Sequence, residues 1–211
     1  ADWNTAWLKA QGIDHVHTVH EGVDRSVFFP GPSQGLLKDR FVIFSGGKLG
    51  YNKGQDLVIA LFKAFKSRHP EAFLMTHWST IWPQSASGFL ESGWVKEEPS
   101  LTEDGTLDIG TWVHKEGISP DDHLELGAIP YHEMGAILRE ANLALFPSRC
   151  QGGTNLAAME TLACGIPTLL SANSGHKDLL EDGLGIPLST LTPSRPAGPW
   201  QHVEGWSTCD I

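Results

Sequence analysis

Four short runs of consecutive apolar residues, separated by segments with helical periodicity, limit the folds open to this chain. The runs lie at residues 41–44, 72–75, 143–146 and 166–170. Strands that are apolar at successive positions are typical of a parallel sheet covered on both faces. The alternation of strand and helix therefore predicts an α/β fold with a doubly wound parallel sheet. Ligands of such sheets bind at the carboxyl ends of the strands.

The segments between the runs carry amphipathic patterns. After the first run, apolar residues recur every three or four positions and predict a helix whose buried stripe is Leu57, Ala60, Leu61, Ala64 and Phe65. A second helical pattern leads into the run at 143–146. A third, after residue 155, ends at Gly165 with Pro167 two residues later, which is a helix stop signal.

The 211 residues are enough for one large domain with a buried core. Residues 1–30 carry a short helical piece and one predicted strand at 16–19, and we interpret them as an entry segment from a missing N-terminal domain. Residues 31–192 form the predicted sheet domain, in which the Trp- and Gly-rich stretch 77–117 is an insertion. Residues 193–211 are rich in Pro and Gly and are interpreted as the tail of a truncated C-terminus. These boundaries indicate part of a larger protein.

Composition excludes several classes of partner. The formal net charge is −10 and the chain has no run of Lys or Arg, so we expect no nucleic-acid partner. Three cysteines without C-x-x-C spacing, and ten histidines without a recognisable ligand pattern, predict neither a disulfide framework nor a metal site. No apolar run approaches the roughly 20 residues that cross a bilayer. We expect a cytoplasmic protein, at most peripheral to a membrane in its full-length form.

A glycine- and lysine-rich loop follows the first apolar run. Gly46 and Gly47 allow a backbone to approach a ligand closely, and Lys48 and Lys53 lie on either side of a turn. Two lysines in this arrangement can converge on one anionic group, for which a diphosphate is the natural guest. The alternative is a glycine-rich turn with two solvated lysines. The loop matches neither the P-loop pattern nor G-x-G-x-x-G.

A second loop follows the run at 143–146. Gly152 and Gly153 precede Thr154 and Asn155, either of which could cap the next helix, and this arrangement predicts an anion site at a helix N-terminus. On that helix Glu160 falls at the edge of the inward-facing stripe and needs a donor. The donor is either a backbone N–H or nearby Lys, or a pair of ligand hydroxyls. Arg149 lies close enough to the Gly152 turn to help bind phosphate, but we interpret it as a surface residue.

Taken in order, these segments resemble the C-terminal, donor-binding half of GT-B glycosyltransferases, specifically the retaining family 4 (group 1). The resemblance extends from about Val19 to Asp182. It rests on the motifs EGVD at 21–24, GKL at 47–49 with KG at 53–54, GAIP at 127–130, and QGGTN at 151–155 followed by Glu160 and the CGIP segment. The fold it implies is the Rossmann-like C-terminal half of a GT-B enzyme.

The resemblance also implies roles for individual residues. Lys48 and Lys53, next to Gly47, would bind the diphosphate of a nucleotide sugar and stabilise it as it leaves, and Glu160 would hold the ribose hydroxyls. The backbone of Gly152, Gly153, Thr154 and Asn155 would meet phosphate and sugar, and the loop with Ile129 would contact the base. Cationic side chains and a helix end would make a metal ion or other cofactor unnecessary.

Two positions depart from the family pattern. Gln151 lies near the position of the family's first Glu, and an amide can bond sugar hydroxyls but carries no negative charge to steady a cationic sugar centre. Lys48 replaces an Arg, which keeps the charge and loses the bidentate fork. The candidate catalytic residues are nonetheless Lys48, Lys53, Gln151 and Glu160.

The resulting hypothesis is the donor half of a retaining glycosyltransferase. Its substrates would be a UDP-, GDP- or ADP-sugar and a hydroxyl acceptor on a sugar, lipid or protein glycan, with the missing N-terminal domain supplying the acceptor pocket. By itself the chain would bind nucleotide and turn over poorly. One alternative is a non-catalytic nucleotide-sugar-binding or regulatory module of the same fold. Another is a different nucleotide-sugar enzyme, such as a 2-epimerase or a phosphorylase.

Overall fold

A computed structural model describes residues 1–181, 183–202 and 205–209. Residues 203–204 and 210–211 of the predicted tail, and residue 182 at the end of the family resemblance, lie outside the described residues. The helices are α1 (Asp2–Ala10), α2 (Gln55–Lys66), α3 (Ile109–Lys115), α4 (Tyr131–Leu138), α5 (Leu156–Ala163) and α6 (His176–Glu181). The strands are β1 (Phe41–Lys48), β2 (Ala72–Ser79), β3 (His123–Glu125), β4 (Leu143–Phe146), β5 (Thr168–Ser171), β6 (Ile186–Leu188), β7 (Leu191–Pro193) and β8 (Ser207–Cys209).

Strands β1 to β6 form a parallel sheet in the order β3-β2-β1-β4-β5-β6. The predicted doubly wound α/β fold is therefore confirmed. The order reverses between β1 and β4, and the crevice at such a reversal is where these sheets bind ligands. The loops that leave β1 and β4, which carry the two predicted motifs, start from this crevice.

The two faces of the sheet bury separate clusters of side chains because alternate residues of a strand point to opposite faces. Ile43 of β1 packs with Phe62 of α2 on one face, and Val42 and Phe44 pack with Met134 of α4 on the other. The insertion contributes to the first cluster through the buried residues Phe89 and Val95. Both faces are thus covered, as continuous apolar strands require.

Helix α2 buries the predicted stripe only in part, with Leu61 and Phe65 packed against the core but not fully buried. Leu57 is buried as expected, but its neighbours in the core are Val58, Ile59 and Phe62, while Ala64 is exposed. The first turn of α2 is covered by the sheet on one side and by the loop after β4 on the other. Residues 55–59 are therefore all buried. The apolar spacing of α2 predicts burial against the sheet, but it does not predict this contact with the loop after β4.

The predicted strand at residues 16–19 is wrong. These residues form no regular structure, and the side chain of Val19 is 86% exposed. They lack the pairing that defines a strand, since the described sheet ends at β3 and β6. The short helical piece near the N-terminus is confirmed as α1.

Regular secondary structure extends beyond the bounds that the sequence predicts, both at the start of the insertion and in the C-terminal tail. Strand β2 continues to Ser79, so the irregular stretch begins after it, later than the predicted residue 77. Strands β7 and β8 pair as an antiparallel hairpin, and Trp206 beside β8 is buried with its ring 6.1 Å from that of Tyr51.

Among the described residues, no helix has the length and apolar character needed to cross a membrane.

Candidate functional site

The loop after β1 is held against the loop after β4 by Gly54. Its φ is +75°, and a Cβ at this position would collide with the carbonyl oxygen of Pro147. Only glycine meets both conditions without strain. A short 3-10 turn, Tyr51–Lys53, precedes this glycine. The close approach of the two loops places both lysines of the first motif beside the second motif.

Lys53 is fixed at the junction of these loops. Its Nζ donates a hydrogen bond to Oε1 of Gln151. Burial lowers the pKa of the Lys53 ammonium to about 8; the charge of Lys48 acts in the same direction and the thiol of Cys150 opposes it. An anion bound beside this ammonium would favour its charged form.

Lys48 approaches the same region from the end of β1. Its Nζ lies 4.4 Å from the centroid of the Trp82 ring, a cation–π contact. Its main chain is braced by the buried Gln55, whose Nε2 donates to the Lys48 carbonyl over 2.9 Å. Lys53 is thus held within the site, whereas Lys48 is exposed, and both line the same cavity.

The second loop leads into α5 through a side-chain cap. Asn155, and not Thr154, is the N-cap, with Oδ1 accepting from the backbone N–H of Ala158 over 3.3 Å. Both polar atoms of the Gln151 amide form hydrogen bonds, since Nε2 donates to the carbonyl of Thr154 and Oε1 accepts from Lys53. The loop is therefore shaped by its own side chains.

A third loop, between β5 and α6, supports this turn. Ser174 has a φ of +41°, and its Oγ accepts the backbone N–H of Gln151 over 2.7 Å. The backbone N–H of Gly175 donates to the Gln151 carbonyl over 2.9 Å. Sequence reasoning missed these residues. The available signal was a Ser- and Gly-containing loop at the carboxyl end of the next strand in the sheet.

His176 holds Asn155 from the same loop. The two side chains meet with 3.0 Å between Nε2 of the histidine and Nδ2 of the amide, and Nδ1 faces the carbonyl of Ser171 at 3.3 Å. Burial, and then the charge of Lys53, lower the pKa of His176 to about 3, so the ring is neutral. This network assigns the proton to Nδ1, and Nε2 accepts from Asn155.

We expect Asn155→Ala to lower the free energy of unfolding by about 1–2 kcal/mol, since it removes the cap of α5 and the partner of a buried histidine. Asn155→Asp separates the two contributions, because aspartate keeps the capping oxygen but replaces the amide donor to His176 with a carboxylate. Urea denaturation of the three proteins measures the difference. Equal stability of Asn155→Ala and the unmodified chain would show that the cap is not formed.

The interpretation of Arg149 as a surface residue is wrong. Its side chain is 2% exposed and forms a bidentate ion pair with the fully buried Asp56, at 2.7 and 2.5 Å. Its guanidinium also lies 3.9 Å from the centroid of the Tyr51 ring and donates to the Tyr51 carbonyl. Arg149 therefore fastens the loop after β4 to the start of α2.

One cavity of about 250 Å³ collects most of the predicted ligand-binding residues. Lining it are Gly47, Lys48, Lys53, Gln151, Thr154 and Asn155. It opens at the reversal of strand order between β1 and β4. The central expectation of the sequence analysis, that the lysines and the glycine-rich turn meet, agrees with this geometry.

The remaining predicted residues do not line that cavity. Gly152 and Gly153 belong to the turn beside it, and Glu160 lies one helical turn beyond Ala157, which lines it. Burial raises the pKa of the half-buried Glu160 carboxyl. Ile129 lines a second cavity of about 440 Å³.

The second cavity is a neighbour of the first. Its lining includes Trp78 and Ser79 of β2, which pair with Gly47 and Lys48 of β1.

In the part of the chain that the structure describes, no group of three or more His, Cys, Asp or Glu side chains is placed to hold a metal ion.

Comparison with known proteins gives consistent matches. A model of family 4 glycosyltransferases in conflict systems matches residues 130–194. D-inositol 3-phosphate glycosyltransferase 1 of Catenulispora acidiphila is 29% identical over 192 residues, which are 87% of this chain and 42% of that protein. Sucrose-phosphate synthase of Thermosynechococcus elongatus superimposes with a TM-score of 0.62 at 18% identity, over 89% of this chain and 43% of the synthase. HepE of Anabaena, solved with UDP, gives 0.61 at 17% identity, over 87% and 46%.

The sheet order and the structural neighbours define the class of the fold, the Rossmann-like C-terminal half of GT-B glycosyltransferases. Within that class, the family model and the curated relatives support assignment to the C-terminal domains of family 4 (group 1). The chain spans less than half the length of these relatives.

Proposed function

We propose that this chain binds a nucleoside diphosphate sugar and serves as the donor-binding half of a retaining glycosyltransferase. The sugar would be transferred to a hydroxyl acceptor held by an N-terminal domain. The observation that carries the proposal is the single cavity at the β1–β4 crevice, where Lys48 and Lys53 meet the capped start of α5.

The diphosphate fits the basic part of this cavity, which Lys48 and Lys53 line. The two ammonium groups are joined by the positive end of the α5 dipole, and helix N-termini are favourable places for phosphate. Charge-assisted contacts of this kind contribute about 1.5–3 kcal/mol each. Two of them account for a large part of the roughly 8 kcal/mol of a micromolar affinity.

The neighbouring cavity is a suitable site for the nucleoside. It lies one strand away, next to Lys48, and is bounded by the loop that carries Ile129. HepE of Anabaena has been solved with UDP and with UDP-glucose, which supports this kind of ligand for the shared fold. In the proposal Glu160 holds the ribose hydroxyls, since a half-buried carboxylate needs donors.

The protein's part in the transfer would be electrostatic. As the bond between the sugar carbon and the β-phosphate oxygen breaks, negative charge grows on that oxygen, where Lys48 and Lys53 stabilise it. The acceptor attacks from the same face, and the departing phosphate takes its proton, which retains the configuration. Under this proposal the reaction needs no resident metal or cofactor and takes place in the cytoplasm.

One observation favours the alternative of a non-catalytic module. Gln151 is neutral, and its amide is bonded to Lys53 and to the carbonyl of Thr154. A binding module would keep nucleotide affinity without transfer. Gln151→Glu, in a protein that includes the N-terminal domain, distinguishes the two, because only an enzyme limited by this residue gains transfer rate.

The binding proposal is tested by calorimetry of the chain with UDP, GDP and ADP. We expect saturable binding of at least one of them, with a dissociation constant between micromolar and millimolar and with little effect of magnesium. An absence of saturable heat for all three nucleotides would overturn the proposal.

Nucleotide affinity should depend on pH through Lys53. The pKa of its ammonium is about 8 without ligand, and the diphosphate binds the charged form, so affinity is full well below pH 8 and falls as the pH rises through 8. By linkage we expect about a tenfold loss between pH 7 and pH 9. Calorimetry across this range gives the profile. Lys53→Met is the control and should show little pH dependence, whereas a flat profile in the unmodified chain would contradict the prediction.

A further inference from the structure

Glu21 brings a carboxylate to the cavity that holds the two lysines. It belongs to the EGVD motif, in a stretch of irregular chain before β1, and it is the single acidic residue among those that line this cavity in the described structure. Its Oε2 accepts a hydrogen bond from Oγ1 of Thr154, which lies 133 positions away in the sequence. The contact holds the carboxylate next to the start of α5, in the cavity that both lysines line.

A carboxylate does not suit a cavity meant for a bare diphosphate. Phosphate oxygens and an ionised Glu repel each other, and repulsion at close range disfavours the charged forms. A nucleotide sugar is different, because its diphosphate end is anionic and its sugar end is neutral and rich in hydroxyl donors. Two ammonium groups and one carboxylate in a single cavity match those two ends.

Gln151 is a weaker hydroxyl acceptor than Glu21 in this arrangement, because it is neutral and its oxygen already accepts from Lys53. Both ends of its amide are already bonded within the site, to Lys53 and to the carbonyl of Thr154. Glu21 is exposed, and one carboxylate oxygen bonded to Thr154 leaves the geometry of the other free to adjust to a ligand. The carboxylate is therefore the better placed acceptor.

We propose that Glu21 binds hydroxyl groups of the donor sugar and so makes this cavity selective for nucleotide sugars over free nucleotides. The inference rests on the proposed function. The lysines hold the diphosphate, and Glu21 accepts from the hydroxyls of the attached sugar. Charge-assisted hydrogen bonds of this kind are strong enough for a measurable preference.

The test compares Glu21→Gln with the unmodified chain in calorimetry against UDP and UDP-glucose, with the GDP or ADP pair used if that nucleotide binds more tightly. We expect the substitution to weaken binding of the nucleotide sugar by about five- to tenfold. Binding of the free nucleotide should be unchanged or tighter, because the substitution removes a charge that repels phosphate. Asp14→Asn is the matched control, since it removes one exposed carboxylate from the same segment outside the cavity. It should change neither affinity.

Other outcomes are decisive in the opposite direction. If Glu21→Gln leaves both affinities unchanged, or weakens both equally, Glu21 does not contact the sugar. If it tightens the free nucleotide and leaves the nucleotide sugar no weaker, the carboxylate only repels phosphate. Each result overturns this inference while nucleotide binding by the unmodified chain still supports the proposed function, whereas failure of that chain to bind any nucleotide overturns both.

Discussion

Arg149→Met should lower the free energy of unfolding by about 3–5 kcal/mol, because it leaves the carboxylate of Asp56 buried without a counter-charge. It also removes the hydrogen bond to the Tyr51 carbonyl and the guanidinium contact with the Tyr51 ring. Urea denaturation followed by circular dichroism measures the loss.

Two variants show whether the ion pair is the cause. Arg68→Met removes an exposed arginine and should change stability by no more than about 0.5 kcal/mol. Adding Asp56→Leu to Arg149→Met should restore a large part of the loss, since apolar replacement of a whole buried pair is often tolerated. A loss below about 1 kcal/mol for Arg149→Met would mean that Asp56 finds another partner or water.

Lys53→Met should weaken the binding of UDP, or of whichever nucleotide binds best, by about 10- to 100-fold. The substitution removes one of the two cationic groups of the cavity, and a charge-assisted contact is worth about 1.5–3 kcal/mol. Methionine keeps most of the side-chain volume, so the two loops should remain packed. Calorimetry gives the affinity, and circular dichroism verifies the fold.

The matched control is Lys38→Met, an exposed lysine before β1 that lies outside the cavity. Its affinity should equal that of the unmodified chain at moderate salt. Equal losses in both variants would indicate a general charge effect, and no loss in Lys53→Met would remove the lysine from the binding site.

Local patterns predicted the parts of this molecule that local forces determine. The consecutive apolar runs gave β1, β2, β4 and β5, because a strand covered on both faces needs apolar residues on both. The cap of α5 was narrowed to two residues by side-chain chemistry, and the structure selects Asn155. The meeting of the two loops followed from parallel topology, since the carboxyl ends of the strands share one edge.

Side-chain contacts between distant segments were not predicted, apart from the meeting of the two loops that parallel topology requires. Arg149 and Asp56 are 93 positions apart, so no pattern in a sequence window indicates that they pair and become buried. The support that Ser174 and His176 give to the turn at Gln151 and Asn155 depends on the packing of a third loop. Likewise, the prediction of the buried stripe of α2 took no account of the loop after β4, which covers the first turn of the helix.

The cavity is built from chain segments near positions 21, 50 and 150, braced by a fourth near 175, and it has no counterpart in an unfolded chain. A ligand that occupies it therefore binds only the native state and shifts the folding equilibrium by mass action. At a ligand concentration of 100 times the dissociation constant, the shift is about 2.7 kcal/mol. The abundance of the intact protein in a cell would then rise and fall with its ligand supply, even where no reaction takes place.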